Sequence, residues 1–138
     1  MIAANIVLTL VVGAALGLLI WEHPPAAWGW MQIAGICALA VGFVLWSVAR
    51  FQLGKSLAIT AQAKGLVTKG LYSKIRNPIY VFGWCAGVGL ILVLGRPVWL
   101  PIFLVIVPLQ IWRARKEASV LEAAFGEEYR KYRAGTWL

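Results

Sequence analysis

The chain has 138 residues, 62% of them hydrophobic and 13% charged, with a net charge of +8 and a mean hydropathy of +0.81. A soluble domain carries about twice that charged fraction, and one this short would leave too much apolar surface in water, so a soluble globule and a disordered chain are both excluded. What fits is a single all-α domain with enough apolar residues for about four transmembrane helices, at roughly 20 per crossing.

Residues 2–21 form an uninterrupted apolar run, long enough to cross the bilayer and without the basic n-region of a signal peptide, which predicts a retained span. It stops at Glu22-His23-Pro24-Pro25, a short polar turn. A second run covers residues 27–51, with Trp28 and Trp30 at one end and Trp46 near the other, as interfacial aromatic belts require. A third covers residues 78–95. The fourth, residues 97–112, is shorter and carries Pro101 and Pro108, which predicts a kinked or tilted span. Gly95-Arg96-Pro97 leaves room only for a tight turn, so the last two spans form an antiparallel hairpin. Beyond them Val120, Leu121, Ala124 and Phe125 recur at helical spacing, predicting an amphipathic tail helix over residues 113–133. Cys37 and Cys85 sit in apolar runs and act as small hydrophobes. Gly13-x-x-x-Gly17 and Gly83-x-x-x-Gly87 are candidate faces for close helix packing.

Charge asymmetry orients these spans. Of the 13 Lys and Arg residues, Arg96 alone shares a side with Glu22 and His23. The rest fall at Arg50, in the loop of residues 52–76 or in the tail, so both termini are expected in the cytoplasm. Anionic headgroups then account for the positive charge, and no nucleic-acid partner is needed. The outer turns are minimal. Any site must therefore be built from the cytoplasmic loop, the tail and the inner ends of the spans.

The loop is richer than a passive linker, running Lys64-Gly65-Leu66-Val67-Thr68-Lys69-Gly70-Leu71-Tyr72-Ser73-Lys74-Ile75-Arg76-Asn77-Pro78-Ile79-Tyr80. Asn77-Pro78 stands where a helix begins, with Asn as its cap and Pro at its first position. A bland alternative is that Arg76 snorkels to headgroups and Asn77-Pro78 merely starts the third span. Arg113 and Glu117 share one helix face, four residues apart, which equally suits an exposed ion pair worth about 0.3–0.5 kcal/mol.

Gly70-x-Tyr72, Arg76-Asn77-Pro78-Ile79-Tyr80 opening a membrane helix, and then Arg113, Glu117, Leu121, Phe125-Gly126-Glu127-Glu128-Tyr129 and Tyr132 together resemble the isoprenylcysteine carboxyl methyltransferase family. That family belongs with the integral-membrane methyltransferases that include the phospholipid methyltransferases. The resemblance covers residues 54–132. It departs from the family pattern at Asn77, where a histidine is usual, and at Ala118, where a second glutamate is usual; the Asn77 variant is associated with bacterial members and so with a bacterial inner membrane.

What the resemblance implies is a methyltransferase that uses S-adenosyl-L-methionine. Lys64, Leu66, Val67, Tyr72, Asn77, Pro78, Ile79, Tyr80 and Glu117 are then expected at the cofactor, and Arg76 and Arg113 in catalysis, with Arg113 toward the acceptor. The chemistry agrees. Tyr72 and Tyr80 offer aromatic faces to a cationic methyl donor, and Glu117 suits its ammonium. Methyl displacement needs alignment and a site without bulk water more than acid–base help. The implied acceptor is lipophilic, a prenylcysteine-like carboxylate first, with a phospholipid amine or a small thiol as alternatives. A non-catalytic membrane assembly protein is the rival from another class. A carrier is disfavoured because the first three spans hold no charged side chain short of Arg50 at the end of the second, and a nicotinamide-dependent reductase because no Gly-rich dinucleotide fingerprint is present.

Overall fold

In the computed structural model, residues 2–54 and 66–137 are described. They form α1 (Ile2–Glu22), α2 (Trp30–Leu53), a 3-10 turn at Gly70–Ser73, α3 (Pro78–Val93), a 3-10 segment at Pro97–Ile102, α4 (Phe103–Phe125) and α5 (Glu127–Ala134). No strand occurs among the described residues. The protein is an all-α multi-pass membrane protein. Three helices are long and apolar enough to cross a bilayer, and α3, at 16 residues, is a shorter apolar one. At 1.5 Å per residue α3 covers about 24 Å, less than the roughly 30 Å hydrocarbon core. Residues at its ends therefore sit at or inside the polar boundary.

Two boundaries differ from expectation. Residues 97–102 open the fourth span as 3-10 turns rather than as α-helix, because Pro97 and Pro101 together withdraw two amide donors from six residues. The tail helix is not a separate element at residue 113. Instead α4 runs unbroken from Phe103, through Pro108, to Phe125. A transmembrane helix tolerates such a proline when neighbouring groups satisfy the freed carbonyl. The break comes at Gly126, whose φ of 51° is a conformation that a Cβ disfavours. Across it Arg130 bonds Glu122 at 2.9 Å and Glu127 at 2.8 Å. That exposed clamp sets the angle between α4 and α5 more than it adds stability.

The closest packing joins α2 to α3, and small residues permit it. A Cβ added at Gly42 would stand 2.5 Å from the Ala86 backbone nitrogen, and one at Gly89 would collide with the Leu39 backbone. Of the small-residue faces expected from sequence, Gly13 meets Phe43 and Gly87 meets Phe103 with a built Cβ, whereas Gly17 meets nothing within 4 Å. Close approach thus belongs to Gly35, Gly42 and Gly89. Backbones that approach this closely gain dispersion and need no hydrophobic driving force from the lipid. Gly42→Val is expected to lower the melting temperature in detergent by forcing the two helices apart. Overpacking of this kind costs about 1–3 kcal/mol, and an unshifted melting curve would show that the helices separate freely.

On its other face α3 meets α4. Trp84 Nε1 donates to Gln110 Oε1 within the apolar layer, and one turn nearer the N-terminus of α3 the Tyr80 hydroxyl donates to Glu117. Polar contacts between helices are hard to lose in lipid, where no water replaces them. Helix α1 is tied to α2 by a reciprocal pair: Arg50 Nη2 donates to Asn5 Oδ1 at 3.3 Å, and Asn5 Nδ2 donates to the Arg50 carbonyl at 3.4 Å.

Candidate functional site

The C-terminal end of α2, the N-terminal end of α3 and the C-terminal half of α4 converge with the Gly70–Ser73 turn and α5. Gln52 begins the assembly. Its Oε1 accepts from the Leu71 N–H at 2.8 Å and holds the 3-10 turn against α2. That turn buries Tyr72, which is 6% exposed. Pro78 follows at the first position of α3, as expected. Asn77 occupies the cap position, but its side chain makes no cap hydrogen bond; the Asn77 backbone carbonyl accepts from Tyr80 and Val81 N–H instead. The amide that the sequence assigns to capping is left to face other partners.

Tyr80 Oη lies 2.8 Å from Glu117 Oε1. This contact joins the two motif blocks, 37 residues apart, from opposite helices. It also bears on the Arg113–Glu117 pair, because the carboxylate bonds across to α3. Among the described residues the ion pairs are those of Arg130 and Arg133 with Glu122 and Glu127, and Arg113 and Glu117 form none. Both are exposed, and Glu117 turns to α3 rather than along its own helix.

Around Tyr80 and Glu117 the remaining expected residues distribute as follows. Tyr72 lies within electrostatic reach of Tyr132, Glu117, Arg50 and Tyr80. Arg76 acts in the same way on Tyr129 and Tyr132. Leu66, Val67, Ile79 and Asn77 are half-buried. Lys64 lies outside the described residues. Three groups that the sequence reading did not assign to the site join it here: Arg50, Tyr129 and Tyr132. Tyr129 is fully buried, and its ring centroid is 6.1 Å from that of Tyr132. The signal for these two was the paired tyrosine of the second motif block, and for Arg50 its place as the lone charge closing an apolar run. The tail closes over this end too, with the Trp137 N–H donating to the Lys74 carbonyl at 2.8 Å.

All four tyrosines of the chain thus gather at one end. The hydroxyls of Tyr72, Tyr129 and Tyr132, and Arg76 Nε, are enclosed with no partner among the described residues. Enclosed polar groups without partners are costly, and each calls for a physical reason. Burial, seconded by Tyr129 and opposed by Arg76, pushes the Tyr132 hydroxyl up to about 12. Burial likewise raises Tyr72 and Tyr129. The phenolate is thus disfavoured in the folded state. The Tyr132 hydroxyl contributes stability that is intact below a pH of about 10, the value for an unfolded tyrosine, and is lost as pH rises through about 12; Tyr72 and Tyr129 act in the same direction. Alkaline titration followed by tyrosinate absorbance is expected to show late ionisation in mild detergent and ordinary ionisation after denaturation in dodecyl sulfate. Coincident curves would mean that the cluster is open to water.

A model of the phospholipid methyltransferase family matches residues 30–128, from the first residue of α2 to the first turn of α5. The chain is also 32% identical to the protein-S-isoprenylcysteine O-methyltransferase of Rattus norvegicus over 116 residues, which cover 75% of this chain and 39% of that protein. The chain thus spans about two fifths of the length of that relative. The family match embraces the Tyr72–Tyr80 turn and the segment from Arg113 to Glu128, and it leaves α1 outside.

Proposed function

The chain belongs to the phospholipid methyltransferase family, and on that premise we propose that it transfers methyl from S-adenosyl-L-methionine to a lipophilic acceptor at the cytoplasmic face of a membrane. The favoured acceptor is a prenylcysteine-like carboxylate. The observation that carries this reading is the Tyr80–Glu117 hydrogen bond, which brings the two motif blocks together at the membrane boundary beside enclosed, unpartnered hydroxyls.

The residues present suit that cofactor. Tyr80 bonds one oxygen of Glu117, and the exposed carboxylate keeps acceptor capacity for an ammonium group. The uncapped Asn77 amide, Arg76 Nε and the Tyr72 and Tyr132 hydroxyls supply polar contacts for ribose and carboxylate. Leu66, Val67 and Ile79 offer the apolar wall that adenine needs. When bound, S-adenosyl-L-methionine supplies an electrophilic methyl group on a sulfonium centre. The task of the protein is then to orient the acceptor and keep bulk water away. Arg113, on the Glu117 face of α4, is placed to hold an anionic acceptor against that centre. A cationic surround of Arg50, Arg76 and Arg113 favours an anionic acceptor over a phospholipid amine, whose protonated form it repels.

Two measurements test the reading. Calorimetry of the detergent-purified protein with S-adenosylhomocysteine should show saturable binding, and its absence would remove the methyltransferase assignment. Reporter fusions after Glu22 and at the C-terminus should place the former outside and the latter in the cytoplasm. A C-terminus outside would put the site on the side that lacks the cofactor.

A further inference from the structure

A crevice of about 250 Å³ opens between α1, α2 and α3 within the apolar layer, walled by Val12 and Leu16, Phe43 and Trp46, and Gly83 and Leu90 among others. Its walls are apolar throughout. It exists because Gly83 contributes no side chain: a Cβ there would first meet Trp46 at 3.7 Å. From Gly83 to Leu90 along α3 it extends about 10 Å, at 1.5 Å per residue. A volume just below the roughly 300–1,000 Å³ of ordinary small-molecule sites has room for one slender chain.

The crevice does not end blindly in the polar layer. At its cytoplasmic end the Arg50 guanidinium lies 5.1 Å over the Trp46 ring centroid. Asn5, 6% exposed, holds one of the guanidinium nitrogens, while Arg50 Nε is enclosed without a partner among the described residues. The same guanidinium lies within electrostatic reach of Tyr72, as do Tyr80 and Glu117. A cation fixed by stacking and one hydrogen bond, with donors to spare, thus lies against Trp46, one of the side chains that wall the crevice. Arginine presents those donors in a planar fork that matches a carboxylate.

We propose that this crevice holds the single hydrocarbon chain of the acceptor and that Arg50 pairs with its carboxylate head. The occupant is a single-chain carboxylate amphiphile. Its tail lies against α1, and its head is delivered to the Tyr72–Tyr80 side of the site. The inference rests on the methyltransferase reading for the fate of the head, and on the crevice and Arg50 alone for binding. Helix α1, one wall of this crevice, lies outside the residues that match the family model.

Photolabelling of the purified protein in neutral phosphatidylcholine nanodiscs tests it, using a medium-chain fatty acid with a diazirine near its far end. The acid is expected to label residues of the crevice walls saturably, with on the order of tenfold higher affinity than its methyl ester, as one lost charge-assisted hydrogen bond implies. Arg50→Gln should erase that preference, and Arg50→Lys should keep part of it. Gly83→Leu and Val12→Trp, which fill the crevice from opposite walls, should each abolish saturable labelling while S-adenosylhomocysteine binding persists. Equal labelling by acid and ester in the unaltered protein would reduce the crevice to a lipid contact and overturn the proposal without recourse to any variant. So would undiminished labelling in both filled variants. The two readings fail separately: loss of S-adenosylhomocysteine binding with intact labelling removes the methyltransferase reading, and the reverse removes this one.

Discussion

Glu117→Gln is expected to weaken S-adenosylhomocysteine binding on the order of 10- to 100-fold while leaving the melting curve nearly unchanged. The substitution isolates charge from geometry. In the native protein the Tyr80 hydroxyl donates to Glu117 Oε1 at 2.8 Å, and the glutamine carbonyl can accept the same hydrogen bond, so the joint between α3 and α4 survives. What disappears is the negative charge that faces an ammonium group. Hydrogen bonds to charged groups are worth about 1.5–3 kcal/mol, which fixes the fold-change. Glu117 is exposed and forms no ion pair among the described residues, so no structural salt bridge is lost with the charge. Calorimetric titration beside a melting curve measures both quantities. Wild-type affinity in the folded variant would return Glu117 to a helix-joining role and leave the ammonium without an assigned partner.

The joint that makes this prediction specific was only half legible in the sequence. Apolar runs bounded by Glu22-His23-Pro24-Pro25 and by Gly95-Arg96-Pro97 dictate helices by length alone, because the bilayer demands internally satisfied backbone. Pro78 at the first position of α3 follows from its missing N–H. Side-chain partners across helices are another matter. Spacing places Arg113 and Glu117 on one face, yet Tyr80, 37 residues from Glu117, wins the carboxylate. Nothing in helical periodicity announces that choice. It follows from the α3–α4 hairpin, whose register also brings Trp84 to Gln110. The unbroken run of α4 past Trp112 escaped notice for a similar reason. A change from apolar to charged residues marks where the hydrocarbon ends, and the helix itself has no cause to stop there until Gly126.

Arg50 shows the same limit from the other direction. At the end of an apolar run, one arginine satisfies the positive-inside bias and invites no further question. The fold gives it Asn5 from α1, Trp46 from its own helix and Tyr72 from the loop. Asn5 comes from another helix, and Tyr72 is within electrostatic reach rather than in contact, so the local sequence announces neither neighbour.

Arg113→Ala carries the largest expected effect on turnover. Arg113 stands one helical turn before Glu117 on α4, exposed and free of any ion pair among the described residues. It lies close enough to act electrostatically on Tyr80. If it orients the acceptor toward the methyl donor, its loss acts on the transition state and spares the donor complex. S-adenosylhomocysteine affinity should then remain near that of the native protein, while methyl transfer to a lipophilic carboxylate falls on the order of 100-fold, as when one preorganised donor is removed from a reacting centre. Arg113→Lys should recover only part of the rate, because an ammonium supplies the charge without the planar fork. A residue that merely lies on an exposed helix face predicts another pattern, with a small shift in melting temperature and unchanged turnover in both variants. Arg113→Ala that transfers methyl at the native rate would leave Arg50 as the cation that meets the acceptor and narrow the site to the α2–α3 side of Tyr80.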